Sequence, residues 1–135
     1  MAVNLSNSPY RHDPASPLFH GSRSDVPITA FRTKYGAYFT TDREYAETVM
    51  EAGRIMGSKC PRLYQVDVTL ERPELFDGES QDQFDAFTQH RELSQDVEAR
   101  GYDGQLMVFA DGHFDVRVNH PEQVRIVSVQ PNEQV

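Results

Sequence analysis

The chain has no tryptophan and one cysteine, Cys60. A single thiol cannot build a disulfide framework or a thiolate zinc site. Basic charge is also scarce: 13 lysines and arginines stand against 21 aspartates and glutamates, for a net charge of −8. Proteins that grip a nucleic-acid backbone carry a basic surface. Nucleic acid is therefore not the expected partner, whereas docking on a basic protein is compatible with the charge. No apolar run approaches the length of a membrane span. Residues 1–17 lack the apolar stretch of a signal peptide. A cytoplasmic protein without membrane association is expected. There are no internal repeats and no low-complexity tract.

What remains is the composition of a globular domain, with 25% charged and 38% hydrophobic residues in a chain of 135. One domain is expected over residues 18–130, with an irregular, proline-containing arm at 1–17 and a polar tail at 131–135. Leu18–His20 reads as a short strand and Gly21–Lys34 as a loop anchored by Phe31. Gly36-Ala37-Tyr38-Phe39-Thr40 reads as a second strand. Thr41-Asp42-Arg43-Glu44 matches a capping box, and Ala46, Val49, Met50, Gly53 and Met56 recur at the spacing of one helix face. Leu63–Leu70 alternates as a half-buried strand, with Pro73 and Asp77-Gly78 in the loop beyond. Residues 80–100 read as a helix broken in two and capped by Gly101. Asp111-Gly112 joins Gln105–Ala110 to His113–Asn119 as a hairpin. Pro121 interrupts before a last strand, Val124–Val129. Most connections are too short for parallel crossovers. The expected class is α+β, with two packed, mainly antiparallel sheets and one to three helices.

Three positions carry candidate chemistry. His20 ends an apolar strand beside Gly21, whose missing side chain permits close approach of a ligand; the imidazole can serve a ligand or be satisfied by a strand-end carbonyl. Tyr38 and Phe39 point to opposite strand faces, so one can join the core while the other lines a cleft. Asp115, Arg117 and Asn119 alternate with Phe114, Val116 and Val118. Asp115 projects toward either solvent or a cleft, and Arg117 and Asn119 are expected on a solvated face. His113 and Asp115 also have the spacing of metal ligands, completed by His12, His20 or His120, but no dense ligand cluster supports this reading.

These elements, in this order, resemble the ADP-ribosyltransferase superfamily, in the poly-ADP-ribose-polymerase and diphtheria-toxin branch with its His-Tyr-Glu signature. Phe19-His20-Gly21-Ser22 resembles the first motif. Gly36-Ala37-Tyr38-Phe39-Thr40 with Ala46 on the following helix resembles the second. The stretch from Asp115 to Val124 resembles the third, with aspartate where the branch has glutamate and Glu122 as a fallback acid. Tyr64-Gln65-Val66-Asp67-Val68 and Gly101-Tyr102-Asp103-Gly104 resemble segments of small phage and prophage domains of that superfamily. The resemblance implies a split-sandwich fold and NAD+ as a co-substrate; no Gly-x-Gly-x-x-Gly is present to hold it as a dinucleotide-fold cofactor. It implies that His20 holds the adenosine-side ribose, Gly21 the carboxamide, Tyr38 the nicotinamide ring and Asp115 the nicotinamide ribose. Ser22 and Arg32, with Arg23 and Lys34 in the same loop, fall near the pyrophosphate or serve as surface charge. The implied activity is transfer of ADP-ribose to a macromolecular acceptor, a protein before a nucleic acid, as in a phage or bacterial effector. An NAD glycohydrolase and a non-catalytic acidic inhibitor or binding module on the same fold are the alternatives.

Overall fold

The computed structural model describes residues 10–11, 17–23, 27–28, 30–89 and 91–130. In chain order the elements are β1 (Tyr10–Arg11), β2 (Leu18–Ser22), β3 (Ala37–Thr40), α1 (Arg43–Ile55), β4 (Arg62–Leu70), β5 (Pro73–Asp77), α2 (Gln81–Gln89), α3 (Ser94–Ala99), β6 (Gly104–Val108), β7 (Phe114–Val118), a 3-10 turn (Pro121–Gln123) and β8 (Val124–Gln130). The class is α+β, as the pattern of elements predicts. The strands run in the order β1-β4-β2-β3-β7-β6-β5, with β8 also on β4. This is one hydrogen-bonded network, in place of the two separate sheets expected. It is nearly divided, however. β2 pairs along its whole length with β4, and β3 along its whole length with β7, but β2 and β3 share only the pair Phe19↔Thr40.

Strand alternation builds the core on one face of this sheet. Phe39, Val66, Val68, Leu106, Val116 and Val118 are each 1% exposed or less and pack in one cluster. Side chains of period two on paired strands share a face. A smaller cluster of Phe19 and Leu63 with Ala46 and Met50 of α1 forms on the other face.

Several local expectations are corrected. Thr41 does not cap α1. Asp42 is the N-cap and accepts from the Tyr45 N–H at 3.0 Å. Thr41 is drawn away because its hydroxyl bridges to β7, accepting from the Phe114 N–H at 3.0 Å and donating to the Phe114 carbonyl at 3.2 Å. Pro73–Asp77, expected as loop, is strand β5, parallel to β6. The segment carrying α2 and α3 supplies the crossover that parallel pairing requires. Proline fits there as the first residue of a strand at the end of the sheet. The arm expected to be irregular contains β1, which pairs with Leu70 and Thr69. The rest of that arm up to residue 16, and the tail at 131–135, lie outside the described residues. At the β6–β7 turn only Gly112 has positive φ, at 90°, so the hairpin closes through a Phe109–Gly112 turn rather than a two-residue Asp-Gly loop. Gly101, at φ 95°, does end α3: its N–H bonds the Glu98 carbonyl and the Tyr102 N–H reaches back to Val97.

α1 lies close over the start of the loop after β2. A Cβ added at Gly53 would sit 2.7 Å from the Arg23 Cα. Alanine gains about 1 kcal/mol of helix propensity over glycine, but overpacking costs about 1–3 kcal/mol. The clash is with backbone, so it wins. Gly53→Ala is expected to lower the urea midpoint of unfolding; an unchanged or raised midpoint would show that α1 can lift off the loop without cost.

Candidate functional site

The site begins where β2 and β3 part. Beyond Phe19↔Thr40 an unbroken antiparallel register would set Gly21 opposite Tyr38, and no such pair forms. The Tyr38 carbonyl there takes its hydrogen bond from a side chain. His20 Nδ1–H donates to it at 2.9 Å. That bond fixes the proton on Nδ1 and leaves Nε2 as an acceptor lone pair. The ring is wedged edge-on to Phe31, with centroids 5.1 Å apart, and tilted against Phe39 at 5.6 Å. Burial pushes the imidazole below its ordinary pKa, and the bond to Tyr38 only partly offsets this, so His20 is neutral at pH 7. One nitrogen satisfies a strand carbonyl, and the residue also lines the opening.

Two cavities meet at this seam, sharing His20, Ser22 and Tyr38. The first, about 460 Å³, extends toward α1 and is bounded by Gly21, Thr40, Tyr45, Ala46 and Val49. The second, about 570 Å³, extends toward the β2–β3 loop and is bounded by Ile28, Phe31, Arg32, Gly36 and Arg91. Gly21 is required at the first: a Cβ there would come 2.0 Å from the Ala46 carbonyl oxygen. Such a pair of joined hollows, with aromatic walls and polar groups from His20, Ser22, Tyr38 and the bordering arginines, has the character of a small-molecule site.

Asp115 stands opposite Thr40 in the β3–β7 register. The hydroxyls of Thr40 and Tyr38 lie near its carboxylate and favour its charged form. Burial raises its pKa above the ordinary 3.8, against the opposing pull of those two hydroxyls. Tyr38 is pushed well above the ordinary tyrosine value by its own burial first, and then by the neighbouring Asp115. Tyr38 therefore keeps its proton. Asp115 does not itself border either cavity; it sits behind Tyr38 and Thr40, which do.

Arg117 and Asn119 are not on a solvated face. They are 7% and 4% exposed. Arg117 faces Tyr38 in the register, lays its guanidinium over the Phe87 ring at 4.1 Å and donates to the Phe87 carbonyl at the end of α2. Burial pushes its pKa down to about 10, with the nearby Arg91 charge acting in the same direction. Asn119 donates to the Tyr102 carbonyl at 3.0 Å. The helices covering this end of the sheet, invisible to strand alternation, bury both. Glu122 is remote from the seam: it is exposed in the 3-10 turn, beside Asp67, Thr69 and Arg125. Its neighbour Gln123 is structural, accepting from the N–H groups of Asn119 and His120.

Tyr45 is the site residue that motif reading missed. Its ring lies 6.3 Å from that of Tyr38, at 80°, and is 51% exposed. The available signal was an aromatic in the first turn of the helix that follows the Tyr38 strand, off the apolar face. The metal reading does not gather its ligands. His113 bonds Thr41 Oγ1 at 3.0 Å, His120 bonds Glu98 at 2.6 Å, His20 bonds the Tyr38 carbonyl, and His12 lies outside the described residues. Among the described residues no group of three or more His, Cys, Asp or Glu side chains is placed to hold a metal. Among the described residues no helix is long and apolar enough to cross a membrane. No protein-family model, curated protein or solved structure matches this chain.

The raised Asp115 pKa fixes the sign of a stability test. The native state holds this proton more tightly than the unfolded chain, so stability falls as pH rises from 3.8 through the native value. Asp115→Asn removes the ionisation and keeps an acceptor oxygen. Its stability relative to the parent is expected to grow from pH 3.5 to pH 7, read by urea unfolding at several pH values. A difference that stays flat over that range would show that burial does not control the carboxyl.

Proposed function

We propose that the protein is an NAD-dependent mono-ADP-ribosyltransferase that breaks the nicotinamide–ribose bond and transfers ADP-ribose to a protein acceptor, in the manner of a phage or bacterial effector. The observation that supports this most is the open seam itself. Strand order β7-β3-β2 sets the acid, tyrosine and histidine strands side by side. The seam joins two hollows, one for each half of a dinucleotide, at His20 and Tyr38. A sheet joined at one pair between β2 and β3 is compatible with the split sandwich of the superfamily that the motifs resemble.

On this reading the nicotinamide end occupies the hollow under α1. Its ring packs against Tyr38 and Tyr45, and its carboxamide meets the Gly21 backbone, which no side chain screens. The neutral His20 accepts a ribose hydroxyl at Nε2. The C1′–N bond then breaks, and its electron pair leaves with nicotinamide as a neutral ring. The ribose is left with oxocarbenium character, as in glycoside chemistry. Asp115, behind Thr40 and Tyr38, supplies the opposing charge. Buried, preorganised charge of this kind acts more strongly than it would in water. The acceptor nucleophile bonds to C1′ and gives up its proton to solvent.

Incubation with NAD+ is expected to release nicotinamide, and Asp115→Ala to slow release by about 10²–10³-fold, the usual cost of losing one aligned electrostatic group. Because Asp115 must be ionised, the rate is expected to rise with pH through its raised pKa. Labelled NAD+ with a lysate distinguishes the outcomes. A labelled protein band supports transfer, and free ADP-ribose alone makes the protein a glycohydrolase. Absence of nicotinamide release would leave a non-catalytic binding module.

A further inference from the structure

The second hollow is bordered by two cations that no carboxylate among the described residues pairs with. Four arginines of the described surface meet carboxylates: Arg43 with Glu47, Arg54 with Glu51, Arg100 with Glu74 and Glu92, and Arg125 with Asp67. Arg32 and Arg91 border the same cavity and form no ion pair among the described residues, in a chain of net charge −8. No carboxylate borders that cavity among the described residues. A third cation, the buried Arg117, stands close enough for its charge to couple with that of Arg91.

Arg91 is held at this rim by the fold. It lies in the α2–α3 connection, which is latched to the β2–β3 loop just beyond it. The Ser94 N–H donates to the Lys34 carbonyl at 2.8 Å, and the Ser94 hydroxyl donates to the Thr33 carbonyl. The Arg91 guanidinium lies 5.9 Å from the Tyr35 ring centroid. Two segments distant in sequence thus bring Arg32 and Arg91 to one opening, beside His20 and Tyr38. Guanidinium groups without a carboxylate partner among the described residues, on a cavity walled in part by Ile28 and Phe31, suit a ligand that is anionic at one point and flat and apolar at another. Arginine is the residue best fitted to phosphate, through paired N–H donors.

We infer that Arg91, with Arg32 opposite, forms a diphosphate-binding subsite that selects nucleoside diphosphate ligands for this groove. The inference deepens the NAD reading, which supplies the identity of the full ligand, but its test does not require turnover. ADP, which carries the diphosphate without nicotinamide, and nicotinamide, which carries no phosphate, serve as separate probes in calorimetric titrations. The folded wild-type protein is expected to bind ADP, more weakly as NaCl is raised. Arg91→Ala is expected to weaken ADP by about tenfold or more, the usual effect of losing a charge-assisted bond. It is expected to leave nicotinamide binding and the unfolding midpoint unchanged. Arg91→Lys, which keeps the charge without the fork, is expected to recover part of the loss, and Arg54→Ala to bind ADP like the wild type.

Equal ADP affinity in the wild type and Arg91→Ala, or no ADP binding by the wild type, would overturn the inference. The two readings fail separately. If NAD+ is cleaved with the same KM in the wild type and Arg91→Ala, the subsite is wrong and the transferase reading stands. If ADP binding depends on Arg91 but no nicotinamide is ever released, the subsite stands and the transferase reading fails.

Discussion

One hydrogen bond holds the rest of the site in place: His20 Nδ1–H to the Tyr38 carbonyl. Two neighbouring strands that part after a single pair leave backbone groups unpaired, and a buried unpaired group costs about 1–3 kcal/mol. The imidazole answers that demand from the side. The sheet can therefore open without an orphaned carbonyl, and the ring that closes the bond becomes part of the opening. The same bond sets the tautomer, and burial among Phe31 and Phe39 keeps the ring neutral. A protonated His20 would place a charge against the rings of Phe31 and Phe39.

Charges of both signs gather around this seam, and Arg23 borders the hollow under α1. On the side of α1, Asp115 lies behind Thr40 and Tyr38, where burial works against its ionisation and two hydroxyl donors work for it. On the side of the β2–β3 loop, Arg32 and Arg91 border the opening and Arg117 lies beneath. The rest of the acidic surface repels anions in general, which makes the local reversal of sign more selective.

Much of the architecture was readable from local pattern. The alternation of Leu63–Leu70 specified β4, the Ala46–Val49–Gly53 spacing specified α1, and Gly101 marked the end of α3. These follow from periodicities of a few residues and from one backbone conformation that only glycine adopts readily. Misreadings arose where distant chain segments compete for the same groups. The Thr41 hydroxyl was claimed by β7, so the cap moved to Asp42. Pro73–Asp77 became a strand because β6 was there to pair with it. Arg117 and Asn119 alternate as surface residues should, and were buried because α2 and the Tyr102 segment cover them. Among the candidate site residues, His20, Gly21, Ser22, Tyr38 and Asp115 were visible as motif positions and Tyr45 as an aromatic in the first turn of α1, whereas Arg91 carries no local mark.

By itself, then, the order of residues determined which side chains exist to do chemistry and which strand face each occupies, because alternation and turn chemistry act over only a few residues. It determined that Tyr38 and Phe39 diverge and that Asp115 leaves the core. The tertiary structure alone decided that β2 and β3 separate, that an imidazole rather than an amide fills the gap, and that an arginine some seventy residues from His20 faces the same hollow. Strand pairing is non-local: whether two strands zip or part depends on what else packs against each, and no window of sequence contains both sides of that competition.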